Sequence, residues 1–422
     1  MTTSVAQAPE HLVTDFDFYD PALAGEVDRF NEKIGELAAK GPVVYSTAYG
    51  GHWIVTGYDE AHTILRDPQT FSSYPNNLVN AGDGKFIPLE LDPPEHTSYR
   101  HVLQPLFNPT RMRALEPEIR ATVNRLIDGF ADRGSAEFIS EFAHELPAAV
   151  FLTLMGWPLE DTRLFSEATD IVVFGKPGAT EEENVVARQQ AAQQMFAYFA
   201  GILADRRQKD DHNDITTQII NAPLQTEDGP RPLTDEELYR MFFLLLIAGL
   251  HTVQGSLAWS VIHLSHRTDE RQRLVDDPSL LPQVVEEMLR IETAVTMGRK
   301  VLRDVEIGGV QMKAGDQLVI NLGAVNRDRH EFDSPDTVRI DRSPNRHLAF
   351  GGGPHRCIGS HLARIEMSIA LEELHRRIPD YRVDTSKPTI SHATQIRGVL
   401  QLPILFTPES GKVESVTNGG KL

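Results

Sequence analysis

The chain has 422 residues, 41% of them hydrophobic and 24% charged, a balance ordinary for a soluble globular protein. Its formal net charge of −19 excludes non-specific nucleic-acid binding, which needs a basic footprint, but leaves room for a local basic patch facing a protein partner. A single cysteine, Cys357, excludes an internal disulfide framework and suits a reducing setting such as the cytoplasm.

The opening "MTTSVAQAPEHLV" lacks the basic start and apolar core of a secretory signal. The whole of 1–422 is expected to form one domain, with 1–12 and 410–422 as flexible ends. "VVYSTAYGGHWIVTG" (43–57) reads as two strands joined around Gly50-Gly51. Helical periodicity follows at about 58–66, 95–107, 115–133, 137–155, 160–174 and 183–207. "DHNDITTQI" opens a further short helix, and "TEDGPRP" reads as a turn-rich loop.

The next element is the longest. Thr234 and Glu237 form a capping-box pattern, and no proline intervenes before Pro278. The apolar pattern holds to His266, so a helix of roughly 30 residues, some 45 Å long, should cross the molecule. Its longest apolar run, "MFFLLLIAGL" (241–250), is too short to span a bilayer and is read as buried. Beyond residue 295 the character changes to short β segments, an irregular stretch rich in Pro, Arg and Asp, a last helix at 359–377, and terminal strands. Helices and strands are segregated, which makes the fold mainly α with minor β.

"FGGGPHRCIG" (350–359) carries the sole cysteine. A lone cysteine is usually an inert small hydrophobe. Here Gly351, Gly352 and Gly353 allow positive φ and a close backbone approach, and Gly359 opens a helix whose N–H groups favour thiolate. His355 and Arg356 add positive charge, so a metal ligand or a nucleophile is also indicated. The pattern filled by Phe350, Gly351, Gly353, His355, Cys357 and Gly359 resembles the haem-binding loop of the cytochrome P450 family, and nearly the whole chain is similar to the bacterial camphor 5-monooxygenase group. "APEHLVTDFDFYDP", "GGHWIVTG", "RRQK" (206–209) and "GVQMKAGDQ" carry that wider likeness.

The resemblance implies a single P450 fold with the long helix over haem b, and Cys357 as its axial thiolate. It makes Glu287 and Arg290 of "EMLR" a structural pair that locks the irregular segment through Arg342; alone, this spacing is most often a solvated pair. His96, Arg100, Arg299 and His355 become the partners of the haem propionates, with Phe350 and Gly351 completing the cofactor loop. In "AGLHTV", Gly249 leaves space for O2 and substrate, and Thr252 organises water for protonation; a mid-helix threonine can also simply bond back to the preceding turn. The family usually has an acid before that threonine, where this chain has His251, able to relay protons but not to anchor a cation.

By position, the substrate pocket draws on Phe86, Leu244, Ile247, Val295, Met297 and Ile396, which suits a small, largely apolar ligand. The tyrosine that anchors a ketone in the camphor enzyme is matched by Gly84, so camphor is disfavoured; Tyr74 or Asn76 is a candidate replacement, and a monoterpenoid or norisoprenoid is expected. The chain carries no reductase region, which implies a [2Fe-2S] ferredoxin and its NAD(P)H reductase as partners, docking near Arg111, Arg113, Arg356 and Arg364. No nucleic acid or membrane partner is expected. The alternatives are an H2O2-driven peroxygenase and a haem-thiolate sensor without turnover.

Overall fold

The computed structural model describes residues 8–78, 84–176, 178–208 and 214–409. Its axis is the helix Asp235–His266. Both halves of the capping box are made: the Thr234 hydroxyl accepts from the Glu237 N–H at 3.3 Å, and the Glu237 carboxylate accepts from the Thr234 N–H at 2.7 Å. By length and composition this helix could cross a membrane, but most of its apolar window is buried inside the protein.

Around it pack the helices Glu145–Met155, Glu181–Gln208 and Ser360–Arg377 and the strand Gly398–Gln401. This assembly buries one large apolar cluster, including Phe142, Phe165, Phe242, Leu246, Leu257 and Leu371. A second cluster lies on a six-stranded sheet in the order Val13–Thr14, Val43–Ser46, His52–Val55, Gln317–Asn321, Thr296–Val301, Phe71–Ser72. The Val43–Ser46 and His52–Val55 strands are the antiparallel pair expected around Gly50-Gly51, with Tyr45 opposite Trp53. The fold is mainly α with minor β, as expected from the segregation of helices and strands.

Several elements differ from the sequence reading. "TEDGPRP" lies within a small hairpin, Leu224–Thr226 with Gly229–Arg231, because Gly229 at φ +105° supplies the turn. The 137–155 helix starts as a π-helical turn, Ile139–Ala143, after a strand Ser135–Glu137 paired with Pro403–Leu405. The 115–133 helix ends at Asp128. Helices Phe30–Lys40, Thr268–Asp276 and Leu281–Ile291 had no counterpart in the sequence reading. Of the N-terminal end expected to be flexible, residues 10–12 form a 3-10 turn that buries Leu12; residues 1–7 and 410–422 lie outside the described residues.

Candidate haem-thiolate site

The cysteine loop sits at the seam of the two apolar clusters: Leu348 joins the sheet cluster, while Phe350 and Ile358 pack on the helical one. The Cys357 N–H donates to the Phe350 carbonyl at 2.9 Å and closes the loop. Gly351 and Gly353 take φ of +66° and +63°, whereas Gly352 is extended, so only two of the three glycines use the left-handed region. At Gly353 a Cβ would lie 2.0 Å from the Leu65 carbonyl oxygen, so no side chain fits. Ser360–Arg377 begins two residues after the sulfur's neighbour Ile358, with Gly359 as its N-cap.

The electrostatics around the sulfur depart from the expectation. Cys357 is exposed to the cavity beside the loop, yet the protein packed around its sulfur desolvates the thiol and pushes its pKa up; the Gly359 N–H and the Arg100, Arg356 and Arg364 guanidiniums pull it back only in part. His355 adds no positive charge, because burial and the neighbouring His96, Arg299 and Arg100 hold its pKa down to about 2. A bound metal cation is what would settle such a sulfur as thiolate.

Four cationic or imidazole groups converge beside the loop. His96 and Arg100 share one face of the helix Glu95–Leu103, and the His96 ring lies 4.0 Å from that of His355. His96 Nδ1 and His355 Nε2 are buried without a hydrogen-bond partner. Burial, then Arg100, holds His96 down to about 4, with Asp92 opposing. Arg299 is buried, donates to the Gly298 carbonyl at 2.6 Å, and is pulled down by burial to about 10 with Asp92 opposing. Arg100 donates to the Arg356 carbonyl at 3.0 Å. A cavity of about 490 Å³ opens here, lined among others by His96, Arg100, Gly353, Arg356 and Cys357. Unpartnered imidazole nitrogens and an arginine without an ion-paired carboxylate among the described residues are the complement of a buried dianion beside a metal-bound sulfur. The residues fit haem b.

On the central helix, Leu244, Ile247, Ala248 and Thr252 share a face that is open although the flanking turns are buried. The Thr252 hydroxyl donates to the Ala248 carbonyl at 3.0 Å, the back-bond that was the alternative reading; its lone pairs remain available as acceptors. Gly249 is half-buried, and a Cβ there would lie 3.4 Å from Phe151 Cδ2, an ordinary contact; Ala248 beside it is the exposed small residue of the open face. His251 is buried, and its Nε2 lies 2.8 Å from Asp170 Oδ1, a partner on the helix Thr162–Phe174 that the sequence reading missed.

Glu287 and Arg290 are fully buried and joined by two bonds of 2.8 Å. Arg342 Nε lies 3.0 Å from Glu287 Oε2, and its other nitrogens donate to the carbonyls of Asp333, Ser334 and Thr337. Arg290 donates to the carbonyls of Asn326, Pro335 and Thr337, so both guanidiniums hold the irregular segment by its backbone.

The remaining residues are brought together in part. Phe86 stacks on Phe243 at 6.1 Å, and Val295 bridges Ile396. Met297 packs under the cysteine loop, its Cε 3.3 Å from where a Gly351 Cβ would be. At Gly84, φ is +121°, a conformation side chains rarely adopt, and a Cβ would meet only the flexible end of Arg240, so the backbone and not the space disfavours an anchoring side chain here. Tyr74 is 41% exposed with Lys85 over its ring, while Asn76 Oδ1 is buried and unpartnered. Of the four arginines, Arg111 bonds Gln218 and Arg364 pairs with Glu286, leaving Arg113 and Arg356 as the exposed pair. Within "RRQK", Lys209 lies outside the described residues, as do 79–83 of the loop before Gly84.

The cytochrome P450 family model matches residues 172–403. The chain is 32% identical over 388 residues to mycinamicin IV hydroxylase/epoxidase of Micromonospora griseorubida, covering 89% of this chain and 95% of that protein. It is 34% identical over 374 residues to the methyl-branched lipid omega-hydroxylase of Mycobacterium tuberculosis, covering 85% of each. Among solved structures, cytochrome P450 CYP101C1 superposes with a TM-score of 0.85 at 28% identity, covering 96% of this chain and 100% of that one. CYP101J2 does so with a TM-score of 0.84 at 29% identity and the same coverage. A cysteine loop built for haem, a distal threonine and relatives along almost the full length agree: the chain belongs to the cytochrome P450 family of haem-thiolate monooxygenases.

Proposed function

We propose that this P450 hydroxylates a small, largely apolar substrate, a monoterpenoid or norisoprenoid, with O2 and with electrons from a [2Fe-2S] ferredoxin and its NAD(P)H reductase in the cytoplasm. The observation that carries the reading is the open face Leu244–Ile247–Ala248–Thr252: three apolar side chains and one hydroxyl, with no charge among them. Phe86, Val295 and Ile396 extend that apolar character, and Asn76 Oδ1 offers one buried acceptor for a substrate hydroxyl.

The reaction is R–H + O2 + two electrons + two protons giving R–OH + H2O. Cys357 would hold haem b as its thiolate ligand, and the bound haem would supply the activation of O2. His96, Arg100, Arg299 and His355 would hold its propionates, which returns the two imidazoles toward their protonated forms. Thr252, its proton engaged by the Ala248 carbonyl, can accept a hydrogen bond from a water in the pocket and keep it oriented. His251 takes the place of the usual acid, and its imidazole can relay a proton toward the pocket. The apolar walls exclude bulk water, which limits loss of reducing equivalents to peroxide.

For the redox partner, Arg113 and Arg356 give an exposed cationic surface on the cysteine side of an otherwise acidic protein. With Arg364 they also depress the pKa of His361, after burial, which places the three charges around one imidazole.

The test is a panel of monoterpenoids and norisoprenoids against a longer fatty acid and a macrolide, read by the substrate-induced change of the haem spectrum and by hydroxylated product with a reconstituted ferredoxin pair. Preference for the small cyclic compounds supports the reading. Turnover only of the larger compounds refutes the substrate class, and a thiolate-type carbon-monoxide spectrum with no product from any of them supports a sensor.

A further inference from the structure

Three side chains that no family pattern singled out as a group form a chain through the side of the molecule. His251 Nε2 lies 2.8 Å from Asp170 Oδ1, and Asp170 Oδ2 lies 3.1 Å from His144 Nε2. Each residue comes from a different place: the central helix, the helix Thr162–Phe174, and the junction between the π-helical turn Ile139–Ala143 and the helix Glu145–Met155. Only the inner end is closed: the His144 and Asp170 side chains are 21% and 39% exposed, while that of His251 is 1% exposed.

Burial would raise the Asp170 carboxyl, but the hydrogen bonds from His144 and His251 outweigh it and hold it down to about 2. As a carboxylate Asp170 only accepts, so both imidazoles must present Nε2–H to it. That fixes the tautomer of His251 and leaves its other nitrogen as the only site for proton exchange. His251 Nδ1 is buried and has no hydrogen-bond partner. Phe174, one turn beyond Asp170, stands edge-on to the His251 ring at 4.9 Å and shields it from that side.

The geometry points to Asp170 as the positioning acid of His251: a carboxylate on a neighbouring helix supports a histidine at the position where the family usually carries the acid itself. This rests on the reading above that His251 delivers protons beside Thr252. His251 carries its transferable proton at Nδ1. It releases one proton from there to a pocket water and keeps Nε2–H on Asp170; a solvent proton then returns to Nδ1. The arrangement follows the general logic of an imidazole whose tautomer and orientation are fixed by a carboxylate. The other titratable groups facing the cluster are His392, which touches Phe174 at 4.4 Å and is held down to about 3 by burial and then by His251 and Arg397, and Glu145 and Glu167, which act on His144.

The experiment uses the holoenzyme. Nitrogen-15 NMR of labelled histidine in the diamagnetic ferrous carbon-monoxide form, assigned with His251→Gln, should show neutral His251 wholly as the Nε2–H tautomer, and Asp170→Ala should give a tautomer mixture. In turnover, Asp170→Asn should lower product formed per NAD(P)H several-fold across pH 6 to 8 with the substrate KM unchanged, and Asp170→Glu should restore most of it. His251→Gln with unchanged coupling would remove the proton-delivery reading itself. Impaired His251→Gln beside a wild-type Asp170→Asn, or an Asp170→Asn that raises KM alone, would overturn the role of Asp170 while leaving that reading in place. A wild-type tautomer mixture would do the same without any variant having to fold.

Discussion

The His96 and His355 ring centres lie 4.0 Å apart with the rings tilted by 39°, and both are held far below the ordinary imidazole pKa by burial and by neighbouring cationic groups. Two neutral imidazoles, each with an orphan nitrogen, next to a buried arginine are stable only if an anion completes the group. Replacing either histidine by alanine should remove a charge-assisted hydrogen bond to a propionate, worth about 1.5–3 kcal/mol. The expected outcome is a roughly ten- to hundred-fold faster transfer of haem to apomyoglobin, followed by absorbance; an unchanged rate would remove that residue from the haem site.

The cysteine loop gives a sharper contrast. Gly353→Ala would place a methyl group against the Leu65 carbonyl at a φ that alanine disfavours, whereas Gly352→Ala meets only Leu65 side-chain carbons at 3.6 Å from an extended backbone. Haem content per chain should fall severely for the first and stay near wild type for the second. Equal behaviour of the two would show that the loop is not held as described.

Removing one partner of a buried ion pair leaves the other charge uncompensated, which costs about 3–5 kcal/mol. Glu287→Gln, Arg290→Ala and Arg342→Ala should each lower stability on that scale, because all three side chains are buried in one network that grips the backbone at 326 and 333–337. Urea unfolding of the holoprotein reads the loss, and a change within 1 kcal/mol for all three would contradict the network's role.

Glu292 predicts a pH effect. Burial would raise its carboxyl, but Arg397 at 3.0 Å, His263 at 2.8 Å and Arg327 hold it down to about 2. A carboxyl depressed in the fold stabilises it above its unfolded pKa, and that stability is lost as pH falls toward the folded value. The loss should be about 3 kcal/mol between pH 5 and pH 2, and Glu292→Gln should flatten this part of the stability curve. An unaltered acid limb in the variant would contradict the assignment.

Much of this was legible in the sequence because it depends on local spacing. The Thr234–Glu237 box marks the start of the central helix to within a residue, and the ten residues 350–359 single out Cys357 and the loop that holds it. What was not legible depends on the third dimension. Nothing near Asp170 in sequence says that His251, 81 positions later, will share its carboxylate with His144. Gly249 and Ala248 differ by one helical step, and only the fold shows that Ala248 is the exposed small residue of the open face while Gly249 is half-buried toward Phe151. Gly352 reads like its neighbours, but only Gly351 and Gly353 need positive φ.

The measurement that tests the central claim most directly is the stoichiometry of NAD(P)H consumed to hydroxylated product, with a reconstituted ferredoxin pair, a monoterpenoid panel, and H2O2 scored in parallel. The account predicts, for at least one small apolar substrate, product close to one per NAD(P)H with little peroxide, His251 serving where the family usually has an acid. Rapid NAD(P)H loss into H2O2, with product appearing only when peroxide is supplied, would contradict it and identify a peroxygenase.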